Sequence, residues 1–217
     1  TGFLLAQIAL NNKLDHRQFF YVNTAPRKDD LKPRLNSAGE GLVYFRLPSG
    51  LQGVVVNSGH SLSFIRDEAE EIRQVDVDNK GSQFRSRDLF PAALARIVNG
   101  DTIALGKDLK DTIPPRPEDA VCYTDGYGNL KTSIPAERLA GQDGRTVRIT
   151  LNGIEREAVI GGGIFAVADG ALVLAPGSSG WPLKDGRDQR WVECVLRGGS
   201  AAALFDHPKG GDRLTWR

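Results

Sequence analysis

The sequence predicts an α/β N-terminal domain with a partial, Rossmann-like sheet, followed by an all-β C-terminal barrel. In the first half, helical apolar periods alternate with short apolar strands, as in α/β folds. The second half holds many short apolar segments separated by glycine-containing turns, which is typical of a small barrel or sandwich. Between the halves, Asp111 to Asp119 is rich in proline and lacks an apolar period. We therefore expect domains at 1–110 and 120–217, joined by a Pro-rich linker at 111–119.

The composition is that of a globular protein and argues against two classes of partner. The chain has 217 residues, of which 40% are hydrophobic and 25% charged, with a formal net charge of +1. This balance and the lack of a basic stripe argue against nucleic acid. No apolar run is long enough for a membrane span, and we expect a cytoplasmic protein. Cys122 and Cys194 lie apart in strand-like surroundings, which predicts buried thiols and no metal site.

Apolar patterns predict the first elements of the N-terminal domain. Gly2 to Lys13 has helix-spaced apolar residues and predicts a helix. Phe19 to Val22 is a continuous apolar run, which predicts a central strand covered on both faces. Leu42 to Leu47 and Leu51 to Val56 flank a Pro-Ser-Gly turn and predict a hairpin.

The rest of this domain is less regular. Lys28 to Gly41 is charged and aperiodic, and we expect a loop. Leu62 to Ile65 fits a short strand or the start of a helix, and Glu71 to Val77 alternates like an exposed strand. Leu89 to Val98 predicts a helix capped by Gly100, with three residues facing inward: Leu94, Ile97 and Val98.

The second domain is expected to consist of strands and turns, without a convincing helix. The expected strands are Ala120 to Tyr123, Leu130 to Ile134, Thr146 to Leu151, Glu155 to Val159, Ile164 to Ala168, Ala171 to Leu174 and Trp191 to Leu196. The polar segment Asp206 to Arg217 is expected to fray.

One turn of the second domain gathers groups suited to binding a small molecule. Asp125 and Asn129 flank an aromatic residue, Tyr127, between two strands. Gly126 and Gly128 permit positive φ angles and the close approach of a ligand. A carboxylate, a carboxamide and an aromatic face together fit a flat, polar, cationic molecule. The same residue types are what an ordinary hairpin turn requires, so both interpretations stand.

Polar residues also follow two strands of the first domain. Asn23 follows the run that ends at Val22, and Asn57 to His60 follows the second strand of the hairpin. Ligands of α/β sheets bind beyond the carboxyl ends of the strands, so these residues are candidates for a site.

The second domain resembles the barrel of the S-adenosylmethionine hydroxide adenosyltransferases (SAM hydrolases) and the related fluorinase and chlorinase. That barrel opens with Asp-Arg-Phe-Gly-Asn followed by Thr-Asn-Ile, which stand here as Asp125 to Asn129 and Thr132 to Ile134. The family's Asn-Ser-x-Gly segment is similar to Gly177 to Gly180, and its Gly-Ser-Ala-Ala stretch is similar to Gly199 to Ala202. The three motifs occur in the family's order, with an insertion, Pro182 to Arg190, between the last two.

The first domain resembles the same family more weakly. Phe84 to Phe90 is similar to the family's Phe-His-Gly-Arg-Asp-Ile-Phe, and Asn57 to Gly59 stands where Pro-Asp-Asn-Gly is expected. Val22 to Arg27 takes the place of Val-Asp-Pro-Gly-Val-Gly. Family members begin with a strand that ends in Asp-Phe-Gly, whose aspartate holds the ribose hydroxyls. The resemblance implies an N-terminally shortened chain that begins in the helix after that strand.

The resemblance implies both a reaction and an assembly. In the family, a nucleophile attacks the ribose 5′ carbon of S-adenosylmethionine and methionine leaves; the hydrolases use water and release adenosine. The sulfonium is already a good leaving group, so the protein mainly aligns, desolvates and activates the nucleophile. The ligand sits between the N-terminal domain of one subunit and the barrel of its neighbour in a homotrimer. No cofactor and no metal is implied.

The ligand-binding residues carry over one by one. The resemblance implies that Asp125 meets the ligand's ammonium group, Tyr127 stacks on adenine, and Asn129 hydrogen-bonds to an adenine edge. It also implies a group that holds the methionine carboxylate or the base: Ser178, Ser179, Arg197, Gly199, Ser200 and Ala201.

The family's water-activating Asp-Arg-His set is not intact in this chain. Asn23 stands for its aspartate, Arg85 stands for its histidine, and its arginine is matched only by Arg27 or Arg34. An amide cannot accept a proton from water, and a guanidinium with a pKa above ~12 cannot act as a base. We therefore expect hydrolysis to be strongly impaired. His60 is a candidate replacement base, although a lone histidine at a strand end is more often a surface residue.

Three functional hypotheses remain open. The one we favour is a divergent family member that binds an adenosyl compound with impaired or lost hydrolysis. The alternatives are an active hydrolase with a rearranged catalytic set, and a structural or interaction protein that retains the fold. Structural explanations also stand for single residues, with Arg85 and Arg87 paired to Asp88 or Glu68, and Asn23 capping the next element.

Overall fold

The computed structural model describes residues 1–11, 14–24, 40–77, 84–101 and 104–217. The chain divides into two units, Thr1–Pro115 and Arg116–Arg217. The described part of the first unit combines helices with a five-stranded sheet, and the second unit is built on a seven-stranded, nearly closed sheet. The predicted fold class, an α/β domain followed by a β-barrel, is confirmed.

The sheet of the first unit is mixed. Its strands are β1 (Phe19–Val22), β2 (Leu42–Arg46), β3 (Gln52–Val56), β4 (Glu71–Val75) and β5 (Leu105–Asp108), in the spatial order β1-β3-β2-β4-β5. β1 runs parallel to β3, whereas the other neighbours are antiparallel. The predicted hairpin between β2 and β3 forms, and Gly50 takes a φ of 83° in its turn.

The two longer helices in the described part of the first unit bury apolar residues. α1 (Gly2–Asn11) places the Phe3 ring edge-on against Phe64, with centroids 5.5 Å apart. α2 (Arg85–Asp88) is a single turn that leads into α3 (Phe90–Val98). α3 packs on the sheet in one apolar cluster through three residues at helical spacing: Phe90, Ala93 and Ile97.

Two expectations for buried positions in the first unit are wrong. β1 is an edge strand of the described sheet and is only partly buried, with Tyr21 38% exposed, because it pairs with β3 alone. Val98 is 60% exposed, since it lies about 100° around the helix from buried Ile97.

Two further expectations for this unit are also wrong. Leu62 to Ile65 is neither strand nor helix but a series of turns whose apolar side chains are buried. In β4, which was expected to be exposed, Ile72 is fully buried, because the strand lies between β2 and β5 within the sheet.

The second unit contains the remaining strands. They are β6 (Val121–Thr124), β7 (Leu130–Pro135), β8 (Thr146–Leu151), β9 (Ile154–Ile160), β10 (Leu172–Pro182), β11 (Asp188–Leu196) and β12 (Leu214–Trp216). Their spatial order is β12-β8-β9-β10-β11-β7-β6. The first and last strands approach each other, because Val121 N donates to Asp212 O and Leu214 N donates to Asp119 O. The sheet is therefore nearly closed around its own apolar core.

Three expectations for the second unit are wrong. The C-terminal segment does not fray throughout, because β12 pairs with β8 and Leu214 is fully buried. Ile164–Ala166 is a 3-10 turn within the crossover that joins the parallel pair β9 and β10. A helix is present, α4 (Ala201–Leu204), whose first turn is capped by the Ser200 hydroxyl accepting from Ala203 N.

Candidate functional site

The turn at Asp125 to Asn129 is organised by the Asp125 carboxylate. Its Oδ1 accepts from Tyr127 N and Asn129 N, both at 3.0 Å, and its Oδ2 accepts from Asn129 Nδ2 at 3.0 Å. Gly128 takes a φ of 83°, whereas Gly126 does not adopt the left-handed region, contrary to the expectation for both glycines. Asp125 and Asn129 therefore lie together, as predicted, and their mutual hydrogen bonds are those of a tight Asx-type turn.

The environment of Asp125 favours its ionised form. Partial burial raises its pKa, but hydrogen bonds from Asn129 and Tyr127 and the positive charge of Lys131 outweigh this effect. The net result is that the pKa of Asp125 lies below its ordinary value. Asp125 is consequently a carboxylate at neutral pH.

A buried lysine connects this turn to the next strand. Lys131, on β7, has a side chain that is 9% exposed, and its Nζ lies 3.5 Å from Asp125 Oδ2. The same Nζ lies 2.6 Å from Oε2 of Glu193, whose side chain is also 9% exposed. The antiparallel register of β7 and β11 places Glu193 directly opposite Lys131. Three ionised groups thus lie in one chain of contacts at this part of the barrel wall.

The second segment that resembles the family, Gly177 to Gly180, contacts Glu193 of the same group of charged residues. Glu193 Oε1 accepts from Ser178 N at 2.9 Å, from Ser178 Oγ at 3.3 Å and from Ser179 N at 3.4 Å. These serines lie where the register of β10 and β11 shifts between Pro176 and Gly180. The shift frees the backbone amides of the two serines from ladder pairing, so that they turn towards the carboxylate.

The third segment that resembles the family, Gly199 to Ala202, contacts the 125–129 turn directly. Ala202 N donates to Gly128 O at 2.9 Å, which fixes the start of α4 against the turn. A Cβ at Gly128 would collide with the Ser200 hydroxyl. Ala201 is fully buried in the barrel core next to this contact. Ser200 therefore lies beside the 125–129 turn.

Arg197 and Gly199, which the resemblance groups with the ligand-binding positions, make their contacts away from the 125–129 turn. Arg197 Nη1 donates to Val167 O at 2.6 Å, and its guanidinium lies 5.5 Å from the centre of the Phe165 ring. Gly199 N donates to Leu196 O within the turn that ends β11. These contacts direct Arg197 to the β9–β10 crossover.

Tyr127 is strongly exposed on the turn. Its side chain is 84% exposed, an accessibility that only Phe165 matches among the exposed large apolar residues of the described chain. An aromatic ring presented in this way offers both faces for stacking. The ring is therefore available to a ligand or to another protein surface.

In the first unit, polar residues meet at one end of the parallel strand pair. The β1–β3 register pairs Val22 with Val55, so Asn23 and Asn57 emerge at the same edge. Asn57 and Arg85 line a cavity of about 480 Å³, together with Gln74, Asp76 and Arg96 among other residues. This cavity brings together two positions that the sequence placed in separate motifs.

Two contacts hold the Arg85 guanidinium beside this cavity. Its Nη1 donates to Glu40 O at 3.1 Å, and its guanidinium lies 5.0 Å from the centre of the Phe90 ring. Arg87 instead pairs with Asp88, as the structural explanation for these arginines anticipated. Arg27 and Arg34, and most of the loop expected at Lys28 to Gly41, fall outside the described residues.

The ring of His60 makes a local contact with a serine three residues later. The ring is exposed, and its Nδ1 lies 3.1 Å from Ser63 Oγ. Within the described ranges, no group of three or more His, Cys, Asp or Glu side chains is placed to hold a metal ion. Burial raises the pKa of both thiols, Cys122 and Cys194, to about 12, so neither is a thiolate at neutral pH.

Lys131 and Glu193 belong to the candidate site although no sequence motif includes them. Glu193 interrupts an apolar strand pattern, between Val192 and Cys194, whereas Lys131 stands between Leu130 and Thr132 like an ordinary solvent-facing residue of an alternating strand. A charged residue inside an apolar strand signals a buried partner, because an unpaired buried charge is costly. That signal indicates that a partner exists but not which one, since the pairing depends on the register of two strands distant in sequence.

Comparisons with known proteins place the fold but not the activity. No protein-family model and no curated protein matches the chain. A solved structure of an uncharacterized conserved protein from Thermotoga maritima matches with a TM-score of 0.62 at 20% identity, covering 84% of this chain and 73% of that one. A conserved hypothetical protein from Thermus thermophilus matches with a TM-score of 0.53 at 20% identity, covering 83% of this chain and 68% of that one.

Among the described residues, no helix combines the length and apolarity that crossing a membrane requires. The two solved structures show that this chain shares its fold with conserved proteins of Thermotoga maritima and Thermus thermophilus.

Proposed function

We propose that this protein binds an adenosyl compound, as a divergent relative of the SAM hydrolases in which hydrolysis is impaired. The observation that carries the proposal is the convergence of three sequence-distant segments on one part of the barrel. The turn at 125–129, the serines at 178–179 and the start of α4 at 200–202 are joined by direct contacts or through Lys131 and Glu193. These are the segments that carry the resemblance to the family.

The groups in this region suit a nucleoside. Tyr127 offers an exposed aromatic face, and base–aromatic stacking contributes about 1–3 kcal/mol per base. Asn129 donates one amide hydrogen to Asp125 Oδ2, and no contact among the described residues uses its Oδ1. That oxygen is an acceptor suited to an exocyclic amine of a purine. The resemblance to the family implies that a neighbouring subunit of a homotrimer completes the site.

The proposed loss of hydrolysis rests on the first unit. Asn23 and Arg85 replace the proton acceptors of the family, and Arg85 is further committed to Glu40 O and to the Phe90 ring. A guanidinium held in this way can stabilise negative charge but cannot take a proton from water. His60 remains the candidate replacement base if the protein is an active hydrolase.

Calorimetric titration with adenosine and with S-adenosylmethionine tests the proposal. We expect saturable binding to the full chain, and Tyr127→Ala to weaken it about tenfold through loss of stacking. Phe165→Ala is the matched control, because Phe165 is equally exposed in the same unit but contacts Arg197 rather than the turn. Equal effects of the two substitutions would contradict the assignment of Tyr127.

Chromatography of the same mixtures separates the three hypotheses. Binding of S-adenosylmethionine without adenosine release supports the proposal. Adenosine release that is lost in His60→Ala indicates an active hydrolase with a rearranged catalytic set. If neither compound binds at millimolar concentration, the protein is a structural or interaction protein that retains the fold.

A further inference from the structure

Lys131 brings a fixed positive charge to the carboxylate that was expected to receive the ligand's ammonium group. Its Nζ lies 2.6 Å from Glu193 Oε2 and 3.5 Å from Asp125 Oδ2, and only 9% of its side chain is exposed. A lysine buried to this extent retains its charge only with carboxylate partners, and here it has two.

We infer that Lys131 is a specificity-determining residue, which selects adenosyl compounds that lack an amino-acid ammonium group. The inference rests on the proposed function, because it concerns the same site. Lys131 supplies from the protein the cation that Asp125 would otherwise take from the ligand. The substrate or ligand class is then a neutral 5′-substituted adenosine, such as a nucleoside or a nucleoside thioether.

The acceptor capacity of Asp125 supports this inference. A carboxylate has about four lone-pair directions. Oδ1 uses two for Tyr127 N and Asn129 N, and Oδ2 faces Asn129 Nδ2 and Lys131 Nζ. Three of these directions carry hydrogen bonds, and an ammonium group at the fourth would lie close to a like charge, because Lys131 Nζ is 3.5 Å from Oδ2.

Glu193 offers no substitute partner for such a ligand. Its Oε2 binds Lys131, and its Oε1 is surrounded by the amides of Ser178 and Ser179 and the Ser178 hydroxyl. A ligand ammonium would therefore compete with the charge of Lys131 at either carboxylate. Juxtaposed like charges in a partly desolvated site oppose binding strongly enough to reverse a preference between related ligands.

A purely structural role for Lys131 predicts a different result. If the lysine only neutralises two carboxylates of the barrel wall, its removal lowers stability and weakens all ligands alike. A specificity role changes the ratio of affinities for ligands with and without the ammonium group. The ratio is therefore the quantity to measure.

The experiment uses two thioethers that share the adenosyl group and carry no charge on sulfur. 5′-Methylthioadenosine lacks the amino-acid head, and S-adenosylhomocysteine carries it. We expect the wild-type chain to bind 5′-methylthioadenosine roughly tenfold more tightly. Lys131→Met, which keeps the length but removes the charge, is expected to lower this ratio about tenfold or more. Lys131→Arg keeps a permanent positive charge and is expected to keep the wild-type ratio.

The outcomes separate this inference from the proposed function. Binding of both thioethers with a ratio that is the same in wild type and Lys131→Met overturns the inference and leaves the proposed function standing. Wild-type preference for S-adenosylhomocysteine also overturns it, even if Lys131→Met does not fold. If wild type binds neither thioether and also neither adenosine nor S-adenosylmethionine, the proposed function fails, and the inference fails with it.

Discussion

Gly128 shows how a single residue sets the geometry of the candidate site. It takes a φ of 83°, and a Cβ there would overlap the Ser200 hydroxyl and crowd the Ser200 backbone. Glycine is therefore required twice, once by the backbone conformation and once by the neighbouring segment. Gly126, two residues earlier, has neither constraint, since it lies outside the left-handed region and no atom would contact its Cβ.

This contrast makes a paired prediction. Gly128→Ala should lower the free energy of unfolding by about 1–3 kcal/mol, because it adds both backbone strain and a steric overlap. Gly126→Ala should be neutral or slightly stabilising, within about 1 kcal/mol. Urea denaturation followed by tryptophan fluorescence measures both. Equal destabilisation by the two substitutions would show that the turn is not packed against Ser200.

At the level of elements, two strands of the barrel explain how the site is assembled. β10 is interrupted between Pro176 and Gly180, and the interruption presents the serine amides to Glu193. Irregularities of this kind often re-aim groups near functional sites. β12 completes the sheet on the far side by pairing with β8, and it carries Leu214 into the core.

The contribution of β12 can be measured directly. Leu214→Ala should destabilise the second unit by about 2–5 kcal/mol, because it removes a fully buried side chain and leaves a cavity. Thr215→Ala is the control on the same strand, where the side chain is only partly buried, and it should cost no more than about 1 kcal/mol. If Leu214→Ala is as mild as its control, the C-terminal segment frays as the sequence suggested.

At the level of the molecule, the two units each have their own sheet and their own core. All seven strands of the second sheet and its main apolar cluster lie within Arg116–Arg217. The three tryptophans of the chain also lie there, with Trp181 and Trp191 fully buried and their ring centroids 5.3 Å apart. Tryptophan fluorescence therefore originates in the second unit alone.

We predict that residues 116–217 expressed alone fold cooperatively. A domain of about this size buries enough surface to be stable by itself. The fragment should show a single urea transition in tryptophan fluorescence, with the same slope as the full chain. A non-cooperative transition would show that the second unit requires the first for its stability.

The sequence by itself determined the fold class and several local turns. Proline and glycine positions, short apolar runs and helix-spaced residues indicate local conformation directly, because the relevant interactions lie within a few residues. The turn at Asp125 to Asn129 belongs to this class, since its hydrogen bonds join residues no more than four apart. The hairpin around Gly50 is likewise determined by residues that are close in sequence.

Only the tertiary structure decided which distant residues meet. The pairing of Lys131 with Glu193, the incorporation of Leu214 into the core and the edge position of β1 depend on strand order and register. A shift of one residue in the strand register would turn Lys131, Glu193 or Leu214 to the opposite face of the sheet. Such contacts join segments separated by tens of residues, and no local pattern encodes which segments pair. The position of the Lys131 charge between Asp125 and Glu193 therefore follows only from the folded chain.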